Sequence, residues 1–383
     1  MGNKVKKVIV VGAGAIGLSC GYHLALKGLD VTIIERDSPG SGQSTKTGGG
    51  IRYFHGSDEN VRMSFISKEF WDQFYKLFGI DPNYRETGHL FLTANSRKSQ
   101  KLYNNVNREV LNLEILKKPQ IEMRWPHLSQ LSLEYGVYCQ LGGYLDHHNA
   151  IAGLVKGFEK AGGILKLGIK AHSLITSENK VRGINSSDGP LNADAVLNCS
   201  GAMVSQLAQH KHTFDPFKSR HHELIIVSPK TPIPEATPWL IDIDQQVHLR
   251  PDGQGRALVG GFLGKNEDTD VLDYNSNISN IWSKRVLKAA HCSFGLTPAK
   301  TNIVEHWGGL YPGTIDYKPV MEQTQQGFFT AAGFAGTGLM HAPAAGIILC
   351  DLITNGHTNK IKITEFSSER FAKPSKVSET TGF

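Results

Sequence analysis

Gly12, Gly14 and Gly17 stand in G-x-G-x-x-G spacing directly after the apolar run Lys7-Val8-Ile9-Val10-Val11. Glu35 closes a second apolar run, Val31-Thr32-Ile33-Ile34, eighteen residues past Gly17. The chemistry this spacing permits is capture of a pyrophosphate and a ribose. Gly12 allows a tight strand-to-helix turn, Gly14 lets a phosphate approach the main chain, and Gly17 lets the helix pack on the strand. Ala13, Ala15 and Ile16 complete the turn, whose helix N-terminus offers N–H groups and about half a positive charge. Glu35 can accept bonds from a ribose diol and disfavours a 2′-phosphate, which argues against NADP. Two further sets of residues could hold a small anion. Arg52 follows a glycine-rich loop, and His248 and Arg250 alternate along Val247-His248-Leu249-Arg250, so a period of two puts both on one strand face. The plainer reading leaves Arg250 a surface cation before the Pro251 turn and His248 a solvated strand residue.

These residues need elements to place them. The first 35 residues read as strand, helix, strand, an α/β unit. Residues 36–52 form a long loop of small residues, anchored by a helix over about 59–78 with Val61, Phe65, Ile66, Phe70, Phe74 and Leu77 at helical spacing. Such a loop lets main chain lie flat against a planar ligand. A helix follows Asp146, and short strands are expected at 165–167, 172–175, 181–184 and 195–197. The section from about 219 to 310 alternates strands with turn signals and has one helix at about 278–291, as an antiparallel sheet over a cleft would. Gly336-Thr337-Gly338 opens a helix running to Asn355 and points N–H groups at whatever lies before it.

Composition narrows the classes. A chain of 383 residues, 40% hydrophobic, can bury a sizeable core and is expected to hold two domains. A net charge of +6 is too mild for a nucleic-acid signature. Cys20, Cys139, Cys199, Cys292 and Cys350 are scattered and never in C-x-x-C spacing, which fits a reduced cytoplasmic protein and argues against a disulfide frame or a metal site. The basic N-terminus before an apolar run imitates a secretion signal, but the glycine fingerprint within the run explains it better. No stretch reaches the roughly eighteen apolar residues of a membrane span.

The loop from Gly40 to Arg52 resembles the flavin-cradling loop of the D-amino-acid oxidase superfamily, within the sarcosine oxidase, glycine oxidase and dye-linked proline dehydrogenase group. Gly88-His89-Leu90-Phe91-Leu92, Gly142-Gly143-Tyr144-Leu145-Asp146, Val196 to Ala202, Trp307 to Pro319 and Gly333 to Gly338 are similar to the group's other motifs, in the same order, so the likeness covers nearly all of residues 5–372. The resemblance implies a Rossmann-like FAD-binding domain (1–82, 143–215 and 318–372) joined to an α+β substrate domain on an antiparallel sheet (83–142 and 216–317), with a polar tail at 373–383. It implies an FAD-dependent oxidation of the C–N bond of an amino acid or secondary amine, sarcosine-, glycine- or proline-like, by hydride transfer to flavin N5. Further cofactor contacts are then expected from Arg36, Ser41, Ser44, Thr45, Gly49, Gly50, Ile51, Lys170, Ala171, Ser200, Gly201, Gly309, Gly333, Gly336, Thr337, Gly338, Leu339 and Met340. The catalytic candidates are Arg52, at the place of a carboxylate-binding arginine, with His248, Arg250 and Tyr311; His55 and His341, each near a flavin motif, are weaker ones.

Departures from the group carry information. Met340 stands where sarcosine oxidases keep a lysine, and Tyr311 where glycine oxidases keep an arginine, so the carboxylate grip differs. Gly309 stands where a cysteine would bond the flavin, so FAD is expected to be non-covalent. Leu258 stands where oxidases keep an oxygen-activating lysine, which tips the reading from oxidase towards dehydrogenase, with dye, quinone or oxygen as acceptor. Two alternatives remain: the same fold oxidising a 2-hydroxy acid or polyol phosphate, or a flavin subunit of a multi-subunit dehydrogenase. An oligomer or partner subunits fit either.

Overall fold

The computed structural model describes residues 5–105, 108–207, 215–263, 268–271, 279–297 and 300–372. Two sheets carry it. The first has six strands in the order Val320–Gln325, Phe328–Ala332, Ala195–Asn198, Lys7–Val11, Asp30–Glu35 and Ile164–Leu167. All its pairings are parallel except that of the Val320–Gln325 edge strand. Both faces are covered, which is why Lys7–Val11 reads as a continuous apolar run. Val8 and Val10 pack towards the helices Ala15–Leu26, His147–Lys160 and Gly338–Asn355. Ile9 and Val11 pack instead against Val181 and Ile184 of a small antiparallel sheet, Ala171–Ser177, Lys180–Ser186 and Gly189–Asn192. Glu178 and Asn179, both at positive φ, make the two-residue turn of its first hairpin.

The second sheet has eight strands in the order Thr301–Thr314, Phe217–Pro229, Ala257–Gly261, Val247–Pro251, Trp239–Asp242, His89–Thr93, Tyr135–Cys139 and Glu114–Lys117. It is antiparallel apart from the pairing of Trp239–Asp242 with His89–Thr93. One face buries Ile225, Val227, Leu249 and Val259 with Val286 and Ala290 of the helix Asn280–Phe294. The other face borders the cleft described below. A short pair, Gly50–Arg52 with Gly142–Tyr144, carries Arg52.

The helix expected over 59–78 is two helices, Asp58–Asp72 and Phe74–Phe78, broken at Gln73. The break seats Phe74 and Phe78 on Gly153 and Gly157 of the helix His147–Lys160, where Cβ atoms would lie only 2.4 and 2.1 Å from the rings. Periodicity alone cannot see that turn, because the apolar residues stay on one side of it. The helix expected at 278–291 spans Asn280–Phe294. The tail 373–383 lies outside the described residues. Among the described residues, no helix is long and apolar enough to cross a membrane.

Candidate active site

The first glycine turn is built as its spacing requires. Gly12 sits at φ +102°, and a Cβ there would lie 2.6 Å from the Cys199 carbonyl oxygen. At Gly17 a Cβ would lie 1.9 Å from the Gly12 carbonyl oxygen, so this glycine serves the packing of helix on turn. The Ala13 N–H donates to Glu35 Oε2 at 2.9 Å and the Asp37 N–H to Glu35 Oε1 at 3.0 Å. Glu35 therefore braces the turn as well as lining the cavity beside it. The Ala15 N–H donates to Ser44 Oγ at 3.0 Å, tying the long loop to the helix N-terminus.

From this turn a cavity of about 430 Å³ runs to the start of the last long helix. Its lining takes in Gly12, Gly14, Ala15, Ile16, Glu35, Arg36, Ser41, Ser44 and Gly50 from the first motifs, and Lys170, Ala171, Ser200 and Gly201 from the middle of the chain. Gly309, Gly333, Gly336, Gly338, Leu339 and Met340 line it from the C-terminal motifs. Six expected cofactor residues stand behind the lining. Ala13 and Gly17 form the turn; Thr45 Oγ1 donates to the Gly40 carbonyl at 2.9 Å, and Thr337 Oγ1 to the Phe334 carbonyl at 2.6 Å. Gly49 (φ +72°) accepts the Leu145 N–H at 2.9 Å through its carbonyl oxygen, and Ile51 is buried in the core. An extended dinucleotide fits this cavity because both ends are glycine turns that open helices.

Arg52, His248 and Tyr311 line the same cavity. Arg52 is buried at 6% exposure, and its main chain is fixed by a buried polar cluster. Ser64 Oγ donates to the Arg52 carbonyl at 2.8 Å, with His55 Nε2 3.0 Å from both atoms and His341 Nε2 2.9 Å from Ser64 Oγ. His55 and His341 thus support Arg52 from behind and do not line the cavity. Burial, then the charge of Arg52, pushes the His55 imidazole well below its ordinary pKa.

Arg250 corrects the expectation of a substrate-facing pair. It shares a face with His248, since both reach Trp239. Its guanidinium, however, does not line the cavity. Nε donates to the Gly48 carbonyl at 2.8 Å, and Nη1 to the Pro251 carbonyl at 2.6 Å and to Asp252 at 3.3 Å, while the group lies over the Tyr144 ring at 4.4 Å. Strand alternation gives the face but not the length of the side chain, and Arg250 reaches under the loop and clamps it. Tyr311 places its hydroxyl where a Cβ of Gly336 would be, at 2.0 Å, so the last glycine turn closes on a phenol.

Leu258 is buried against the loop, its Cδ2 3.6 Å from where a Gly48 Cβ would stand, and it is not in the lining. Lys46, which the sequence reading passed over, does line the cavity, and its Cβ would lie 3.0 Å from a Cβ at Gly309. His89, His222, Trp239 and Phe262 also enter the lining unforeseen. Burial holds His89, His222 and His248 uncharged, each lowered to about 3, with the neighbouring charges of Arg52, His221 and Arg250 respectively adding to the effect. No alternation marks His222 or Trp239, since Trp239–Asp242 is buried throughout and Phe217–Pro229 has no regular period, so nothing in the sequence says which face meets the cleft. Among the described residues, no group of three or more His, Cys, Asp or Glu could hold a metal ion.

Comparison with known proteins agrees with this geometry. The chain is 20% identical over 388 residues to human mitochondrial dimethylglycine dehydrogenase, covering 96% of this chain and 44% of that one. It is 24% identical to FAD-dependent oxidoreductase domain-containing protein 1 of Xenopus laevis, covering 95% and 82%. The chain thus spans less than half the length of the first of these relatives. Among solved structures, L-proline dehydrogenase from P. horikoshii superposes with a TM-score of 0.86 at 21% identity, over 96% of this chain and 98% of that one. Residues 7–352 match the model of the FAD dependent oxidoreductase family, DAO, and the chain belongs to that family.

Proposed function

We propose that the chain binds FAD non-covalently and oxidises the C–N bond of a carboxylate-bearing secondary or tertiary amine, of the sarcosine or proline kind. The observation that carries the reading is one cavity that joins the two glycine turns to a buried arginine. When bound, FAD supplies a two-electron acceptor whose N5 takes hydride from the carbon beside nitrogen. Glu35 stands where the ribose diol would meet it, and the loop tied down by Ser44 and Arg250 offers main chain to the flat ring system. A Cβ at Gly309 would meet Gln43 Oε1 at 2.9 Å and Lys46 Cβ at 3.0 Å, so a larger residue there, cysteine included, would have to turn the Gln43 amide aside.

Arg52 serves as the carboxylate anchor. A buried guanidinium gains about 1.5–3 kcal/mol from each charge-assisted bond that replaces lost water. The bonds to its carbonyl fix where its side chain starts. His222 and His248, held uncharged, add no second fixed cation to repel a substrate ammonium. Relatives named for dimethylglycine and sarcosine support this substrate class. The test is a single anaerobic turnover with product analysis. One equivalent of reduced flavin should appear with one equivalent of the carbonyl compound left when the imine hydrolyses. Reduction by lactate or glycerol phosphate, with none by sarcosine, proline or dimethylglycine, would overturn the reading.

A further inference from the structure

Asp316, within the 307–319 motif, is buried but lies outside the cavity lining. Arg370 grips it in two bonds, Nε to Oδ2 at 2.7 Å and Nη2 to Oδ1 at 3.1 Å. The same Nη2 donates to the Lys318 carbonyl at 2.6 Å, and Nη1 to the Ser367 carbonyl at 2.9 Å. Thr314 Oγ1 lies 2.8 Å from Asp316 Oδ1 and 2.6 Å from the Lys318 carbonyl oxygen, so its one proton serves both. The Lys318 N–H donates to Asp316 Oδ1 at 3.2 Å. One guanidinium, supplied from 54 residues further along the chain, thereby fixes the turn 314–318.

That turn backs the last glycine turn of the cavity. A Cβ at Gly333 would lie 2.7 Å from Thr314 Cγ2, and one at Gly313 would lie 3.2 Å from Ala335 Cβ. Gly313 and Phe334 form an antiparallel bridge, and the Ala335 N–H donates to the Pro312 carbonyl at 2.8 Å. Pro312, Gly333, Phe334 and Gly336 line the cavity. Each turn holds a non-glycine residue in the left-handed region, Tyr317 at φ +60° and Ala335 at φ +47°. Such residues keep that conformation only where their neighbours over-determine it. At Tyr317 the Arg370 bonds fix residues 316 and 318 on either side, and the Tyr317 hydroxyl accepts a bond from Arg220 Nη1. At Ala335 the constraint comes from Pro312 and Gly313, which lead into the turn that Arg370 holds.

Arg370 is delivered by two short helical turns, Ile363–Phe366 and Ser368–Ala372. Phe366 and Phe371 are buried and anchor them, and the guanidinium lies over the Phe371 ring at 4.2 Å. Ser367 Oγ donates to Glu322 at 2.8 Å, which ties the same segment to the edge strand Val320–Gln325 rather than to the turn 314–318.

We propose that Arg370 is a positioning residue for the cofactor, which through Asp316 and Thr314 sets the turn 333–337 against the flavin. The inference rests on the FAD reading and adds to it a segment outside the cavity lining. The turn opens the helix Gly338–Asn355, whose positive end favours anionic reduced flavin. A turn set back from the ring therefore weakens FAD and lowers its midpoint potential. The test measures FAD dissociation by equilibrium dialysis and the midpoint potential by reductive titration of the holoprotein with a reference dye. Arg370→Met should raise the dissociation constant about tenfold or more and lower the potential. Arg370→Lys should recover only part of this, because an ammonium cannot hold a carboxylate and a carbonyl in one plane. Thr314→Val keeps the methyl group that meets Gly333 and removes the hydroxyl. It should shift both quantities the same way, by about threefold or more in affinity, and it carries the test if Arg370→Met does not fold. Ser367→Ala cuts the tie of the same segment to Glu322 and should change neither quantity. Wild-type affinity and potential in both Arg370→Met and Thr314→Val, or an equal loss in Ser367→Ala, would overturn the proposal and leave Arg370 a stability anchor. A wild-type protein that binds no FAD would end the cofactor reading, and the proposal with it.

Discussion

Replacing Arg250 separates two roles that the sequence could not. Arg250→Met keeps the stem and removes three partners from the guanidinium: the Gly48 carbonyl at 2.8 Å, the Pro251 carbonyl at 2.6 Å and Asp252 at 3.3 Å. Asp252 keeps Arg256 Nη2 at 3.1 Å and is not orphaned. The loss is therefore two carbonyl oxygens stripped of a charged donor in a site where Arg250 is 5% exposed. At about 1–2 kcal/mol each, the change costs roughly 2–4 kcal/mol. For a chain of 383 residues, that is a fall in Tm of about 3–5 °C by differential scanning calorimetry. The flavin loop loses its clamp at Gly48, so FAD should dissociate more readily in the same variant. Arg250→Lys should recover little, because an ammonium cannot bridge two carbonyls and a carboxylate in one plane. A Tm within about 2 °C of wild type, with full FAD content and a raised KM for the substrate, would refute the clamp and return Arg250 to the substrate.

Arg52→Ala should cut kcat/KM by about 2–4 kcal/mol, some 30- to 1000-fold, with FAD content little changed; unaltered steady-state kinetics with an amino-acid substrate would remove it from the site. Glu35→Ala should weaken FAD by about 1.5–3 kcal/mol, read by equilibrium dialysis, because the ribose bonds and the brace on Ala13 go together. Lys46→Met should slow reoxidation of the reduced flavin by oxygen and leave the dye rate unchanged in stopped flow, since Lys46 and not position 258 brings a cation to the cavity. Acid lability should follow His89, whose folded pKa of about 3 lies below its unfolded value near 6.5. The unfolded chain then binds the extra proton between those limits, so His89 stability is present above pH 6.5 and lost as pH falls towards 3, at up to about 1.4 kcal/mol per unit. His89→Asn should flatten the urea-denaturation stability curve in that window; an unchanged slope would show that His89 does not titrate on unfolding.

What was legible in the sequence is what backbone geometry dictates. Gly12 and Gly17 are needed by a strand-to-helix turn of fixed shape, and Glu35 by the end of the next strand, so spacing alone located them. The resemblance of the later motifs pointed to the rest of the cavity lining, because Gly309 and Gly336 are again places where main chain must come close. Arg250 was misread because its face was right and its reach was not. The nearness of Trp239 to His89, and of His222 to Tyr311, stayed hidden because only the sheet order makes them neighbours. The break at Gln73 stayed hidden because Phe70 and Phe74 keep helical spacing across it.

The central claim is hydride transfer from the carbon beside nitrogen to bound FAD. Its most direct test is the rate of flavin bleaching, without oxygen, by dimethylglycine and by the same compound deuterated at that carbon and its methyl groups. The account predicts full bleaching, slowed several-fold by deuterium. A flavin spectrum unchanged at saturating amine, or bleaching at equal rates with both compounds, would contradict it.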